Sequence, residues 1–165
     1  KFIINAVSKL KDKFPDLIYL IAGKGPYLEE IKKYVRQLSL ENYVVFLGWI
    51  TEPEKSLILK NSEVFAMTPT TVGESVEGFG MAFIDAAFHG IPSLGSKSGG
   101  ISDAIIENET GLLAEPGDQE EITKKLSELL DNSELRTKLG KRGREIAESQ
   151  YSWENKIIEY LEAAN

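Results

Sequence analysis

The 165-residue sequence contains no cysteine and a single histidine. A disulfide scaffold is thereby excluded, as is a metal site built from cysteine pairs, and no Asp-x-Asp or His-x-x-x-His spacing offers another. The lack of thiols fits a reducing cytoplasm. Long apolar runs are missing as well. None approaches the roughly 18 residues of a membrane-spanning helix, and the first residues lack the basic, apolar and small-residue order of a signal peptide. Positive charge is in deficit, with 19 Lys and Arg against 26 Asp and Glu and a formal net charge of −7. Nucleic-acid binding needs clustered cations to displace counterions from phosphates, so no nucleic-acid partner is expected. The same deficit argues against this domain resting on anionic lipid. Repeats and low-complexity tracts are absent.

What is present reads as one globular domain. Hydrophobic residues make up 42% and charged residues 27%, an ordinary soluble composition. A chain of this length buries roughly 68–70% of its unfolded surface. Lys1-Phe2-Ile3-Ile4 already lies inside an amphipathic pattern, so the chain is expected to be a fragment of a larger protein.

Apolar residues at Phe2, Ile3, Ala6, Val7 and Leu10 predict a helix ended by Pro15. Leu17–Ala22, Val44–Gly48, Val64–Pro69, Ile91–Leu94 and Gly111–Ala114 read as short, nearly continuous apolar strands covered on both faces. Between them fall helices over Tyr27–Leu38, from a Thr51-x-x-Glu54 capping box onward, over Phe79–His89 and over Ser102–Glu107. This alternation predicts a doubly wound, Rossmann-like parallel sheet with helices on both faces. From Asp118, where Asp-x-x-Glu121 suggests a second capping box, only helices follow: Gln119–Leu130, Glu134–Ser149 and Trp153–Ala163.

In such sheets ligands bind at the carboxyl ends of the strands. The unusual residues all fall in those loops: Gly23-Lys24-Gly25-Pro26, Gly48-Trp49-Ile50, Thr70–Gly80 and Ser96–Gly100. Gly78-Phe79-Gly80 precedes an apolar helix whose free N–H groups and positive dipole end suit a phosphate or sugar oxygen. Glu77 sits in that loop, and Asp85 lies two turns into the helix among Phe83, Ile84, Ala86, Ala87 and Phe88. A carboxylate so surrounded must be paired or reach the rim. Bonding to a sugar or ribose hydroxyl would satisfy it, and so would a surface-facing orientation.

The run Glu77-Gly78-Phe79-Gly80-Met81-Ala82-Phe83-Ile84-Asp85, followed through Ala86 to Gly90-Ile91-Pro92, resembles the family-4 (group 1) retaining glycosyltransferases of the GT-B fold. Gly99-Gly100, Asn108 to Leu113, Gly23-Lys24-Gly25-Pro26 and Phe46-Leu47-Gly48 extend the resemblance over nearly the whole chain. It implies a C-terminal donor-binding domain, with the acceptor-binding N-terminal domain lying outside the sequence. It also implies a nucleoside-diphosphate sugar as the donor and no metal or other cofactor. By resemblance, Glu77 is the catalytic carboxylate beside the donor sugar and its leaving phosphate. Gly78, Phe79, Gly80, Met81, Gly99 and Gly100 face the sugar and diphosphate, and Asp85 holds the ribose. Gly48, Trp49, Ile50, Gly23, Lys24 and Gly25 surround the base. Asp85 is one methylene shorter than the family's usual Glu, and Asp103 likewise replaces a common Glu. The family's diphosphate-neutralising Arg and Lys lie upstream of the first helix and have no counterpart here. The implied location is the cytoplasm, with membrane association only through the missing domain.

Other residues read more plainly. His89, at the far end of the apolar helix, is expected to pack or cap, and Trp153 to anchor the last helix. Lys97 is read as an exposed loop residue, although it stands at the ligand edge. Trp49 either stacks on a base or closes the core. Lys124, Lys125, Lys138, Lys141, Arg142 and Arg144 alternate with Glu and are expected on solvated helix faces, paired. A non-catalytic sugar-nucleotide module of the same fold is the competing reading. A flavodoxin-like receiver would need an acidic cluster near its first strand and a late Lys, which the sequence lacks.

Overall fold

A computed structural model describes residues 1–70 and 80–152. Glu77, Gly78, Phe79 and the expected final helix from Trp153 lie outside the described residues.

The chain opens with α1 (Phe2–Leu10), whose Ile3, Ile4, Ala6, Val7 and Leu10 are buried. Then β1 (Tyr19–Ala22), α2 (Leu28–Gln37), β2 (Val44–Gly48) and α3 (Glu52–Lys60) follow. At the start of α3 the Thr51 N–H donates to Glu54 Oε2 at 2.7 Å, completing the expected capping box. Next come β3 (Phe65–Ala66), α4 (Met81–Phe88), β4 (Ser93–Ser96), α5 (Ile101–Ala104), β5 (Gly111–Ala114), α6 (Gln119–Asp131) and α7 (Ser133–Gln150). Asp118 caps α6 by accepting from the N–H groups of Glu120 and Glu121 at 3.0 and 2.9 Å. Its capping box is not reciprocal, because the Glu121 carboxylate accepts instead from Glu115 N–H at 2.7 Å.

Every strand pair is parallel, as expected of a doubly wound layer. The described strands form two ladders, β1-β2 and β3-β4-β5. Leu112 of β5 packs in a cluster with Ile3, Val7 and Leu126, whereas its neighbour Leu113 packs with Phe83, Ile101 and Ile105. Adjacent strand residues point to opposite faces, so α1 with α6 covers one face and α4 with α5 the other. Phe65 and Phe83 meet edge to face, with centroids 5.3 Å apart, beneath α4. Full burial of a side chain such as Phe83 stabilises the fold by about 1.5–3 kcal/mol.

Strands β4 and β5 are buried throughout, as expected. The expectation of two covered faces fails for β1 and β2. Ile18, Leu20 and Val45 stay 49%, 39% and 40% exposed, because no described element covers that side of the first ladder.

One close approach sets the seat of α7. A Cβ added to Gly140 would lie 2.0 Å from the Gly90 carbonyl oxygen, so only glycine lets α7 reach the turn that ends α4.

Candidate functional site

The carboxyl ends of β1, β2, β3 and β4 define one edge of the molecule. The start of α4 stands on it. Gly80, at the N-cap, has φ +76, a left-handed conformation that glycine adopts without strain, and an added Cβ would press on Phe83 at 2.8 Å. Among the described residues no side chain caps this terminus, and the first N–H groups of a helix suit an anion. Met81, the first helical residue, is 63% exposed beside them.

Asp85 satisfies the requirement that a carboxylate in an apolar helix be paired. Its Oδ2 lies 2.7 Å from Lys55 Nζ on α3, and the Asp85 side chain is about one-third exposed, at the rim rather than in the core. Lys55 also meets Glu52 at 2.8 Å. Hydrogen bonding to Asp85 and then to Glu52 raises the Lys55 pKa above its usual 10.5, so the ammonium stays charged. The sequence announced that Asp85 needed a partner but not which one, since α3 and α4 are brought together only by the fold.

A second contact ties the same two helices. His89, at the C-cap of α4, places Nδ1 2.8 Å from the Asp85 carbonyl oxygen and Nε2 2.8 Å from Ser56 Oγ. A carbonyl only accepts, so Nδ1 carries a proton, and the Ser56 hydroxyl can either donate to or accept from Nε2. His89 is a packing and capping residue, as expected.

The loops expected around a base stand at the same edge. An added Cβ at Gly23, Gly25 or Gly48 would meet nothing within 4 Å, so these turns border open space rather than tight packing. Trp49 is 74% exposed and closes no core among the described residues. A groove of about 800 Å³ is lined by Gly23, Trp49, Ile50, Lys55 and Asp85, and continues down between β1 and β3. Gly99 and Gly100 lead into the short α5 from the end of β4. Lys24 belongs to the loop after β1, but it does not line the groove.

Two lysine readings are refined. Lys97 pairs with Glu115 at 2.6 Å and is an exposed ion-paired residue. Lys125 does not lie on a solvated face. Its side chain is only 18% exposed, bonded to Glu107, Glu121 and the Leu113 carbonyl, which fastens α6 to β5. Arg142 and Arg144 are paired with glutamates on the surface, as expected. Among the described residues no helix is long and apolar enough to cross a membrane, and no cluster of three metal-ligating side chains occurs.

The family model described as "Glycosyl transferases group 1" matches residues 1–146. The chain belongs to the group 1 glycosyl transferases. Among curated relatives, the GDP-mannose-dependent alpha-(1-6)-phosphatidylinositol monomannoside mannosyltransferase of Mycobacterium tuberculosis is 27% identical over 164 residues. That match takes in 96% of this chain and 43% of the relative, so the chain spans less than half the relative's length. Among solved structures, Anabaena HepE in complex with UDP superimposes with a TM-score of 0.84 at 21% identity, over 99% of this chain and 44% of that one. The C-terminal domain of the group 1 protein LpcC from Francisella tularensis gives 0.78 at 24% identity, over 92% of this chain and 78% of that one. Both share the fold with this group 1 chain, which is the α/β fold expected of a GT-B donor domain.

Proposed function

We propose that the chain is the donor-binding domain of a retaining, family-4 glycosyltransferase that moves a sugar from a nucleoside-diphosphate sugar to an acceptor held by a second domain. The observation that carries this reading is one edge shared by a helix start with no side-chain cap among the described residues, at Gly80 and Met81, and a rim carboxylate, Asp85. The groove beside Asp85 also takes in Gly23, Trp49 and Ile50.

In this reading the diphosphate sits at the start of α4, where N–H groups and the helix dipole stabilise the charge that grows on the leaving group. The amides of Phe79, Gly80 and Met81, with Gly99 and Gly100, face the sugar and diphosphate. Glu77 stands beside the sugar and orients the departing phosphate. Asp85 accepts from the ribose hydroxyls through the carboxylate oxygen that Lys55 leaves open, and Trp49 with the Gly23-Lys24-Gly25 turn borders the base. No metal or other cofactor is required. The reaction runs in the cytoplasm, and any membrane contact is made through the acceptor domain. Alone, the chain binds nucleotide weakly and transfers little sugar, because the acceptor wall and the upstream basic residues belong to the rest of the protein.

Sugar transfer by the full-length protein tests the catalytic assignment, with Glu77→Ala as the comparison. Undiminished turnover in that variant refutes the role given to Glu77. A thermal-shift screen of nucleoside diphosphates and their sugars tests binding, since a ligand that prefers the native state raises the midpoint by mass action.

A further inference from the structure

The chain leaving β3 parts from β4 where the sequence sets a proline. Phe65 N–H donates to the Pro92 carbonyl and Met67 N–H to the Leu94 carbonyl, both at 3.0 Å. In a parallel pair such donors recur at every second residue, so the next bond of the series would join residue 69 to the Ser96 carbonyl. Residue 69 is proline and has no N–H to give. Ser96 uses its two groups otherwise. Its hydroxyl donates to the Pro69 carbonyl at 2.5 Å, and its own carbonyl accepts from Ser98 N–H at 2.8 Å. On the far side β4 stays fixed, because Ser96 pairs with Ala114 and Lys97 N–H donates to the Ala114 carbonyl at 2.9 Å. Ser96 is fully buried, so solvent does not compete for its hydroxyl.

We propose that Ser96 is a positioning residue for the diphosphate end of the donor site, an inference that rests on the donor-site reading above. One side chain fixes the root of two loops given to that end. The Pro69 carbonyl marks the point where the chain leaves the sheet toward the segment that carries Glu77. The turn at Ser98 leads into Gly99 and Gly100, and the Ser98 carbonyl accepts from Ile101 N–H at 3.4 Å at the head of α5. Removing the hydroxyl takes away the bond that stands in for the missing ladder link, and the two loops lose their common anchor. Neither Ser96 nor Pro69 lines the groove beside Trp49 and Asp85, so the nucleoside end of the ligand is held independently of this bond.

The split between the two ends of the ligand supplies the test. Calorimetric titration of the full-length protein with UDP and GDP is compared with titration by uridine and guanosine. Ser96→Ala is expected to weaken binding of the diphosphate that the parent accepts by about tenfold or more, the range for a hydrogen bond to a charged group that is no longer made, and to leave the matching nucleoside within about twofold. Ser96→Cys fills nearly the same space with a poor donor and is expected to behave alike, which gives the same measurement where the alanine variant unfolds. Ser96→Thr keeps the hydroxyl and is expected to hold the diphosphate within about threefold of the parent. Equal changes for diphosphate and nucleoside, or no change for either, in Ser96→Ala or Ser96→Cys overturn the proposal. If Asp85→Ala still weakens binding in that case, the donor-site reading stands without it. A parent that binds neither UDP nor GDP overturns both.

Discussion

Asp85 on α4 and Lys55 on α3 meet at 2.7 Å, and that contact places the carboxylate proposed to hold the ribose on the rim of the groove beside Trp49. The ion pair is partly solvated, with both side chains about one-third exposed, so it contributes about 0.2–1 kcal/mol to stability. Its effect is on where the carboxylate stands.

Exchanging the two partners therefore has unequal consequences for ligand binding. Asp85→Ala removes a charged acceptor and is expected to weaken UDP or GDP binding by the full-length protein about tenfold to a hundredfold, the range for a hydrogen bond to a charged group. Lys55→Met keeps the acceptor but loosens its hold on the rim, and is expected to weaken binding by less than Asp85→Ala does. Calorimetric titration of both variants checks this. Unchanged affinity in Asp85→Ala removes Asp85 from the ribose site.

Two glycines one turn apart on α7 give a test of packing with opposite signs. At Gly140 an added Cβ would lie 2.0 Å from the Gly90 carbonyl, and backbone cannot rotate aside as a side-chain tip can. Gly140→Ala is expected to cost about 1–3 kcal/mol or more by prising α7 from α4. At Gly143 the nearest atoms, Ala87 Cβ and Thr110 Cβ, are 3.6 Å away, an ordinary contact. Gly143→Ala should be neutral, or stabilising by up to about 1 kcal/mol through helix propensity. Urea unfolding of the two variants, with equal losses, would contradict the geometry.

Carboxylates that accept backbone N–H groups give the acid limb of stability its slope. Glu54 accepts from Thr51 N–H, and Glu121 first from Glu115 N–H; both pKa values lie below the ordinary 4.5. A lowered folded pKa contributes stability that is present above the unfolded value and is lost as pH falls through the folded one. Glu121→Gln should therefore flatten the loss of stability below about pH 4.5 without changing the alkaline side, as read from urea midpoints across that range.

How far the sequence could be read is decided by the range of the forces involved. Local rules placed the Thr51 capping box, the apolar helix carrying Asp85, and the β4 and β5 strands, because each is settled within a few residues. The open face of β1 was not legible, since the run from Leu17 to Ala22 is equally apolar whether or not a neighbour covers it. Lys55 was missed because its partner is 30 residues away and is met only through the fold. Lys125 was misplaced because a lysine stem can lie against apolar surface while its ammonium finds carboxylates, and the spacing of charges on α6 does not distinguish that from full exposure.

The alkaline limb gives the last prediction, and it bears on β1 itself. Burial raises the Tyr19 phenol to about 12, from an ordinary value of 10.0, because the phenolate would lose its hydration. A raised folded pKa contributes stability that is fully present below the unfolded value and is lost as pH climbs through the folded one, so the window runs from about pH 10 to pH 12. Phenolate absorbance should show one tyrosine titrating late, near the top of that window, and Tyr19→Phe should remove that component. The same variant should lose less stability than the parent between those two pH values, since a phenylalanine has no proton to give up. A titration in which no component is lost on Tyr19→Phe near the top of that window would mean that the inner face of β1 is open to water as its outer face is.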